Sequence, residues 1–161
     1  CIRDRMFTEW KTRGKPSLLG MISGAVAGLV AITPGSGFVE PAPALFIGLL
    51  AGVVCFFMVA VVKAKLGYDD SLDAFGVHGV GGILGAILTG FFASSAVTGS
   101  ELPAMWTQVG IQALSVVATL VYGGVMSFVI LFIIKKTMGL RVSTDDELSG
   151  LDLASHGERI E

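Results

Sequence analysis

The chain has 161 residues, of which 53% are hydrophobic and 15% charged, and its formal net charge is −2. An average soluble domain carries roughly 25% charged residues, so this composition points to lipid rather than water; the near-neutral balance, with no run of Arg or Lys, gives nucleic acid no footing. Cys1 and Cys55 are too few and too far apart for a disulfide framework or a cysteine-based metal site.

Four windows without a formal charge, residues 16–39, 41–62, 74–100 and 102–134, are each long enough to cross a bilayer, which takes about 20 apolar residues. A charged leader, CIRDRMFTEWKTRGKPS, comes first, with no signal-peptide pattern before it. The chain is therefore expected to be a piece of a longer protein, with residues 1–16 holding the end of a preceding helix and a loop. The first predicted span covers 17–33 and stops at Thr33-Pro34-Gly35-Ser36-Gly37, because Pro and Gly this dense cannot continue a helix. The second covers 44–62, with Cys55 as a small apolar packer. After KAKLGYDD the third covers 71–92, and the fourth runs over 105–134, with Trp106 at its start, and Trp10 before the first span, suited to a membrane interface. Residues 17–134 thus read as membrane helices and 135–161 as a tail.

Cations orient this ladder. Arg3, Arg5, Lys11, Arg13 and Lys15 precede the first span; Lys63 and Lys65 lie between the second and third; Lys135, Lys136, Arg141 and Arg159 follow the fourth. All eleven fall on one side of a four-helix alternation, which the positive-inside rule assigns to the cytoplasm. Small residues recur at four-residue spacing, as Gly20, Gly24 and Gly28, then Gly48 and Gly52, then Gly81 and Gly85. Such faces let helix backbones approach where lipid offers no hydrophobic drive for association.

The chemistry concentrates at the start of the third span, Asp69-Asp70-Ser71-Leu72-Asp73-Ala74-Phe75-Gly76-Val77-His78-Gly79-Val80-Gly81-Gly82. Asp70 is placed to cap the helix and Asp73 to sit in its first turn, where a carboxylate complements the exposed amides. His78 is the only ionisable side chain between Asp73 and Glu101. An apolar bundle penalises imidazolium, so an ionisable residue there is by default a functional candidate. Neutral imidazole has one donor and one acceptor nitrogen and can pass a proton along a narrow path. The plainer alternative is a histidine satisfied by a carbonyl of a neighbouring helix.

The segment DDSLDAFGVHGVGG closely resembles the signature of the ammonium transporter family, the Amt/Mep/Rh proteins. GKPSLLGMISGAVAGLVAITPG resembles that family's eighth membrane helix, and GLRVSTDDELSGLDLASHGE its cytoplasmic tail. The resemblance implies an all-α membrane protein, with the four helices here being the eighth to eleventh of an eleven-helix inverted-repeat fold that assembles as a homotrimer in the cell membrane. It implies a hydrophobic pore for ammonium or ammonia in each subunit, with no cofactor. His78 takes the place of the second of two paired pore histidines that discriminate ammonium and relay its proton. Asp73 takes the place of a family acid at the inner end of that helix, Thr33 matches a pore-lining threonine, and Ser23 is set on the same path. The first pore histidine, the outer aromatic and serine site and the paired phenylalanines belong to family segments that come before Cys1.

In the tail, Thr144 and Glu147 have capping-box spacing and predict a short helix ending at Gly150; by composition alone this is a solvated acidic segment. By resemblance, Gly139, Arg141, Asp152 and His156 belong to a regulatory arm that packs on the neighbouring subunit. Bacterial family members also bind the PII nitrogen-regulatory protein at this face. Where plant members carry a phosphorylated threonine, Ala154 stands here, beside Ser155. Transport of ammonium or ammonia is the leading reading. An ammonium sensor coupled to a signalling partner, and a scaffold in which His78 only packs, are the alternatives. An enzyme has least support, since no nucleophile, metal cluster or phosphate-binding loop stands out.

Overall fold

The computed structural model describes residues 2–15 and 17–158. Of the cations used to orient the chain, the side chains of Arg3, Arg5 and Arg13 and the whole of Arg159 lie outside the described residues, as do Cys1 and Pro16. The chain divides into two compact units, Cys1–Val117 and Ala118–Glu161.

In the first unit, α1 (Ile2–Arg13) leads to α2 (Leu18–Ile32), whose N-cap is Ser17: its hydroxyl accepts from the Gly20 amide at 2.9 Å. The helix tightens into a 3₁₀ turn, Thr33–Gly35, at Pro34. The next helix, α3 (Pro41–Phe57), begins at Pro41 rather than at 44. Proline suits a first helical position, where its missing N–H would have had no intrahelical partner. α3 passes through a π-helical turn, Met58–Val62, into α4 (Lys63–Leu66), which ends at Gly67 in the left-handed conformation, φ 63°. Together they make one apolar run, Pro41–Leu66.

The third span opens at Phe75 instead of 71, with a second π-helical turn, Phe75–Gly79, followed by α5 (Val80–Phe92). The late start has a backbone cause: Asp73 has φ 55°, a left-handed conformation that a right-handed helix cannot contain. A one-turn helix, α6 (Ser95–Thr98), precedes α7 (Met105–Thr137), which crosses from the first unit into the second. Four segments, Leu18–Gly35, Pro41–Leu66, Phe75–Phe92 and Met105–Thr137, are long and apolar enough to span a membrane.

The faces of small residues pack together. Gly20, Gly24 and Gly28 of α2, Gly52 of α3, and Gly81 and Gly85 of α5 are all buried. One core cluster joins Ala27, Cys55 and Val77; another joins Ala31, Ile47 and Ala51, with Leu84, Leu88 and Phe92 against it. At the end of the bundle away from α4, Val39 and Ala93 form an isolated bridge, and the Ser94 hydroxyl donates to Glu40 at 2.7 Å. The rings of Phe91 and Trp106 meet in a T-shaped arrangement, centroids 5.6 Å apart.

The second unit holds the rest of α7, α8 (Thr144–Ser149) and a π-helical turn, Asp152–His156. α7 stops at Gly139, φ 84°, whose amide reaches the Ile134 carbonyl at 3.1 Å. The cap of α8 is Ser143, one residue before the expected Thr144, and its hydroxyl accepts from the Asp146 amide at 3.2 Å. The frame shifts because Ser143 is extended and Thr144 is already helical, and a cap must lie outside the helix.

Candidate functional site

The site grows from the segment between the second and third spans. Asp70 points its carboxylate at the amides of Phe75 (3.1 Å) and Gly76 (3.2 Å), which pairs two of the donors that a helix start leaves open. Asp73 lies just before the helical segment, not in its first turn as expected. Its carbonyl accepts from the Val77 amide at 2.9 Å, and its carboxylate faces the Lys63 ammonium at 2.7 Å. Lys63 donates a second hydrogen bond to the Asp70 carbonyl.

Next comes the turn that carries the histidine. Gly76 is pressed against Val59 of the facing π-helical turn: a β-carbon at Gly76 would stand 2.7 Å from Val59 Cγ2. Val77 is buried, and its carbonyl accepts the Cys55 thiol at 3.8 Å. The Val80 amide reaches back to the Phe75 carbonyl, five residues earlier, which is the wide bonding of a π turn. His78 follows Val77 onto the exposed face. Among the described residues its ring makes no hydrogen bond, and the first unit contains no second histidine.

Beside Asp73 opens a cleft of about 320 Å³ whose polar lining comes from Glu9, Ser17, Ser23, Lys63 and Asp73. Glu9 is 4% exposed, an expensive place for a carboxylate unless its oxygens are paired. The Ser17 amide and hydroxyl both donate to it, each at 3.0 Å. Ser17 thereby passes the contact on to the start of α2, through its own bond with Gly20.

Of the residues expected to line a path, Ser23 and Asp73 meet in this cleft. Thr33 and His78 are not among its lining residues; Thr33 is exposed and donates its hydroxyl to the Leu29 carbonyl at 2.6 Å. Gly139, Arg141, Asp152 and His156 all belong to the second unit, where Gly139 ends α7 and Arg141 faces Glu147 at 3.4 Å. Asp152 and His156 bound the last π turn, both exposed. No group of three or more His, Cys, Asp or Glu among the described residues is arranged to hold a metal ion.

Glu9, Ser17 and Lys63 are site residues that the sequence reading passed over. Lys63 entered it only as a charge on one side of the membrane, and Glu9 only as part of the leader. The sole local signal was the Ser17 cap position; the rest depends on how α1 folds back on α2.

A sequence model described as the Ammonium Transporter Family matches residues 4–160. An ammonium transporter of Aquifex aeolicus (strain VF5) is 53% identical over 156 residues, covering 96% of this chain and 37% of that protein. The crystal structure of Saccharomyces cerevisiae Mep2 superposes with a TM-score of 0.80 at 34% identity, over 89% of this chain and 34% of that one. A solved structure described as "Sensor Amt Protein" gives a TM-score of 0.85 at 30% identity, over 96% of this chain and 38% of that one. The chain thus spans less than two fifths of the length of these relatives.

Proposed function

Since the chain belongs to the Ammonium Transporter Family, and is a multi-pass membrane chain by its four apolar spans, we propose that the protein it forms part of conducts ammonium or ammonia through a hydrophobic pore in which His78 relays a proton. The observation that carries this reading is an imidazole on the exposed face of an otherwise apolar span, in the segment FGVHG. Its ring is open to whatever packs on that face, including a second imidazole from elsewhere in the protein.

The chemistry favours such a relay. Hydrated ammonium and potassium are alike in size, and a size filter separates them poorly. Only ammonium can release a proton and continue as a neutral molecule, while any ion that stays charged meets a large desolvation cost in an apolar pore. Imidazole can take and return that proton near neutral pH. Thr33 and Ser23 supply hydroxyls to the path and Asp73 supports its inner end. On the same reading the protein is a homotrimer in the cell membrane, its C-terminus is cytoplasmic, and the tail with Gly139, Arg141, Asp152 and His156 is a regulatory arm able to receive a PII-type protein. The Aquifex aeolicus relative is named an ammonium transporter, and the activity proposed for this protein is transport without chemical conversion of the substrate.

The test is ammonium flux and current by the full-length protein with His78→Ala. Loss of flux or of ammonium-over-potassium selectivity is expected; wild-type values for both would overturn the relay. A second reading, an ammonium sensor, draws on the likeness to the structure described as a sensor. It predicts saturable ammonium binding without flux in the reconstituted full-length protein.

A further inference from the structure

Two π-helical turns face each other in the first unit, and the one that bears His78 is held from outside its own helix. We propose that Lys63 is a positioning residue for His78, acting through Asp73 and the Phe75–Gly79 turn. The inference rests on the pore role of His78 proposed above and extends it to a side chain that acts on His78 through another residue.

The chain of contacts is short. The Lys63 ammonium bonds the Asp73 carboxylate at 2.7 Å, with the two side chains 26% and 24% exposed, and also bonds the Asp70 carbonyl. Those two contacts hold Asp73 at φ 55°, a backbone state disfavoured for an L side chain. Because the Asp73 carbonyl receives the Val77 amide at 2.9 Å, the conformation of Asp73 bears on where the helical segment starts and on Val77, the residue just before His78. Val59 against Gly76, and the Cys55 thiol on the Val77 carbonyl, add to this grip from the second span, while Ala27 of α2 packs on Val77 and the Asp70 carboxylate holds the Phe75 and Gly76 amides. The His78 ring, in contrast, is exposed.

A π turn contains one residue more than the α turn it replaces, so it is a place where register can slip. If the Asp73 anchor is released, the extra residue can be absorbed, and every side chain that follows turns by about 100° around the axis, since one turn takes about 3.6 residues. His78 would leave the face it now occupies. The cation that closes this latch is Lys63.

The experiment uses the full-length protein reconstituted in liposomes, with ammonium flux and its concentration dependence measured for Lys63→Met, Lys63→Arg, Asp73→Asn and His78→Ala. Lys63→Met is expected to lower maximal flux roughly tenfold or more, as small misplacements of a reacting group do, with the half-saturating concentration unchanged. Lys63→Arg is expected to recover most of the flux, and the double variant Lys63→Met/Asp73→Asn to be no worse than either single, as for two residues acting through one contact. Wild-type maximal flux for Lys63→Met while His78→Ala is inactive would overturn the positioning role alone. Wild-type flux for His78→Ala would overturn the pore reading itself. Should Lys63→Met not fold, Asp73→Asn serves in its place: asparagine tolerates the left-handed backbone but lacks the charge, and wild-type flux there overturns the proposal equally.

Discussion

Gly85 of α5 lies against the backbone of Ala31 in α2 so closely that a β-carbon at Gly85 would collide with the Ala31 carbonyl group, 2.8 Å from its carbon. Both residues are buried. The contact is backbone on side-chain position, so no flexible group can move aside. Gly85→Ala is expected to destabilise the full-length protein by about 1–3 kcal/mol, the usual cost of overpacking. Thermal unfolding of the purified protein measures it, and an unchanged midpoint would mean that α2 and α5 do not approach this way.

Glu9 is the buried acid at the start of the bundle, and Ser17 gives it two hydrogen bonds. Replacing it with Ala leaves the Ser17 amide facing a void, at about 1–3 kcal/mol. Glu9→Gln keeps an acceptor and should lose less. The order Ala worse than Gln, read from unfolding midpoints, is the result to look for; equal midpoints for both variants and wild type would remove Glu9 from the fold.

Asp70 caps the third span from outside it, through Phe75 and Gly76. Asp70→Ala should cost about 0.5–2 kcal/mol, the range for lost helix caps, and Asp70→Asn less. Hydrogen exchange at the Phe75 and Gly76 amides tests this locally: both should exchange faster in Asp70→Ala, and unaltered protection would contradict the cap.

Arg141 and Glu147 form an exposed pair at 3.4 Å, with side chains 74% and 55% accessible. Pairs of this kind contribute about 0–1 kcal/mol, so Arg141→Ala should barely move the unfolding midpoint of the full-length protein. Flux measured on the same variant then reports the regulatory role of the tail without a stability effect. A large drop in the midpoint would show Arg141 to be structural instead.

Much of this chain was legible locally. Charge-free windows reveal apolar spans because lipid tolerates few charges anywhere along a helix, and Pro34 marks a helix end because its backbone chemistry acts within one turn. Asp70 could be read as a cap for the same reason, and His78 stood out because its neighbours are apolar. The family was legible too, in three motifs in order.

What the tertiary structure alone decided lies at the joints. The third span could not be seen to begin at Phe75, since the left-handed Asp73 is held by Lys63 from another span. The cleft that joins Ser23 to Asp73 and to Glu9 needs α1 folded against α2, and the two π turns meet only when Gly76 packs on Val59. Hydropathy and turn propensity are sums over neighbours in the chain, so they determined which segments of this protein are apolar helices. Which side chains face one another across those helices is set by close packing and ion pairing between residues distant in sequence, and that is where His78 acquires its setting.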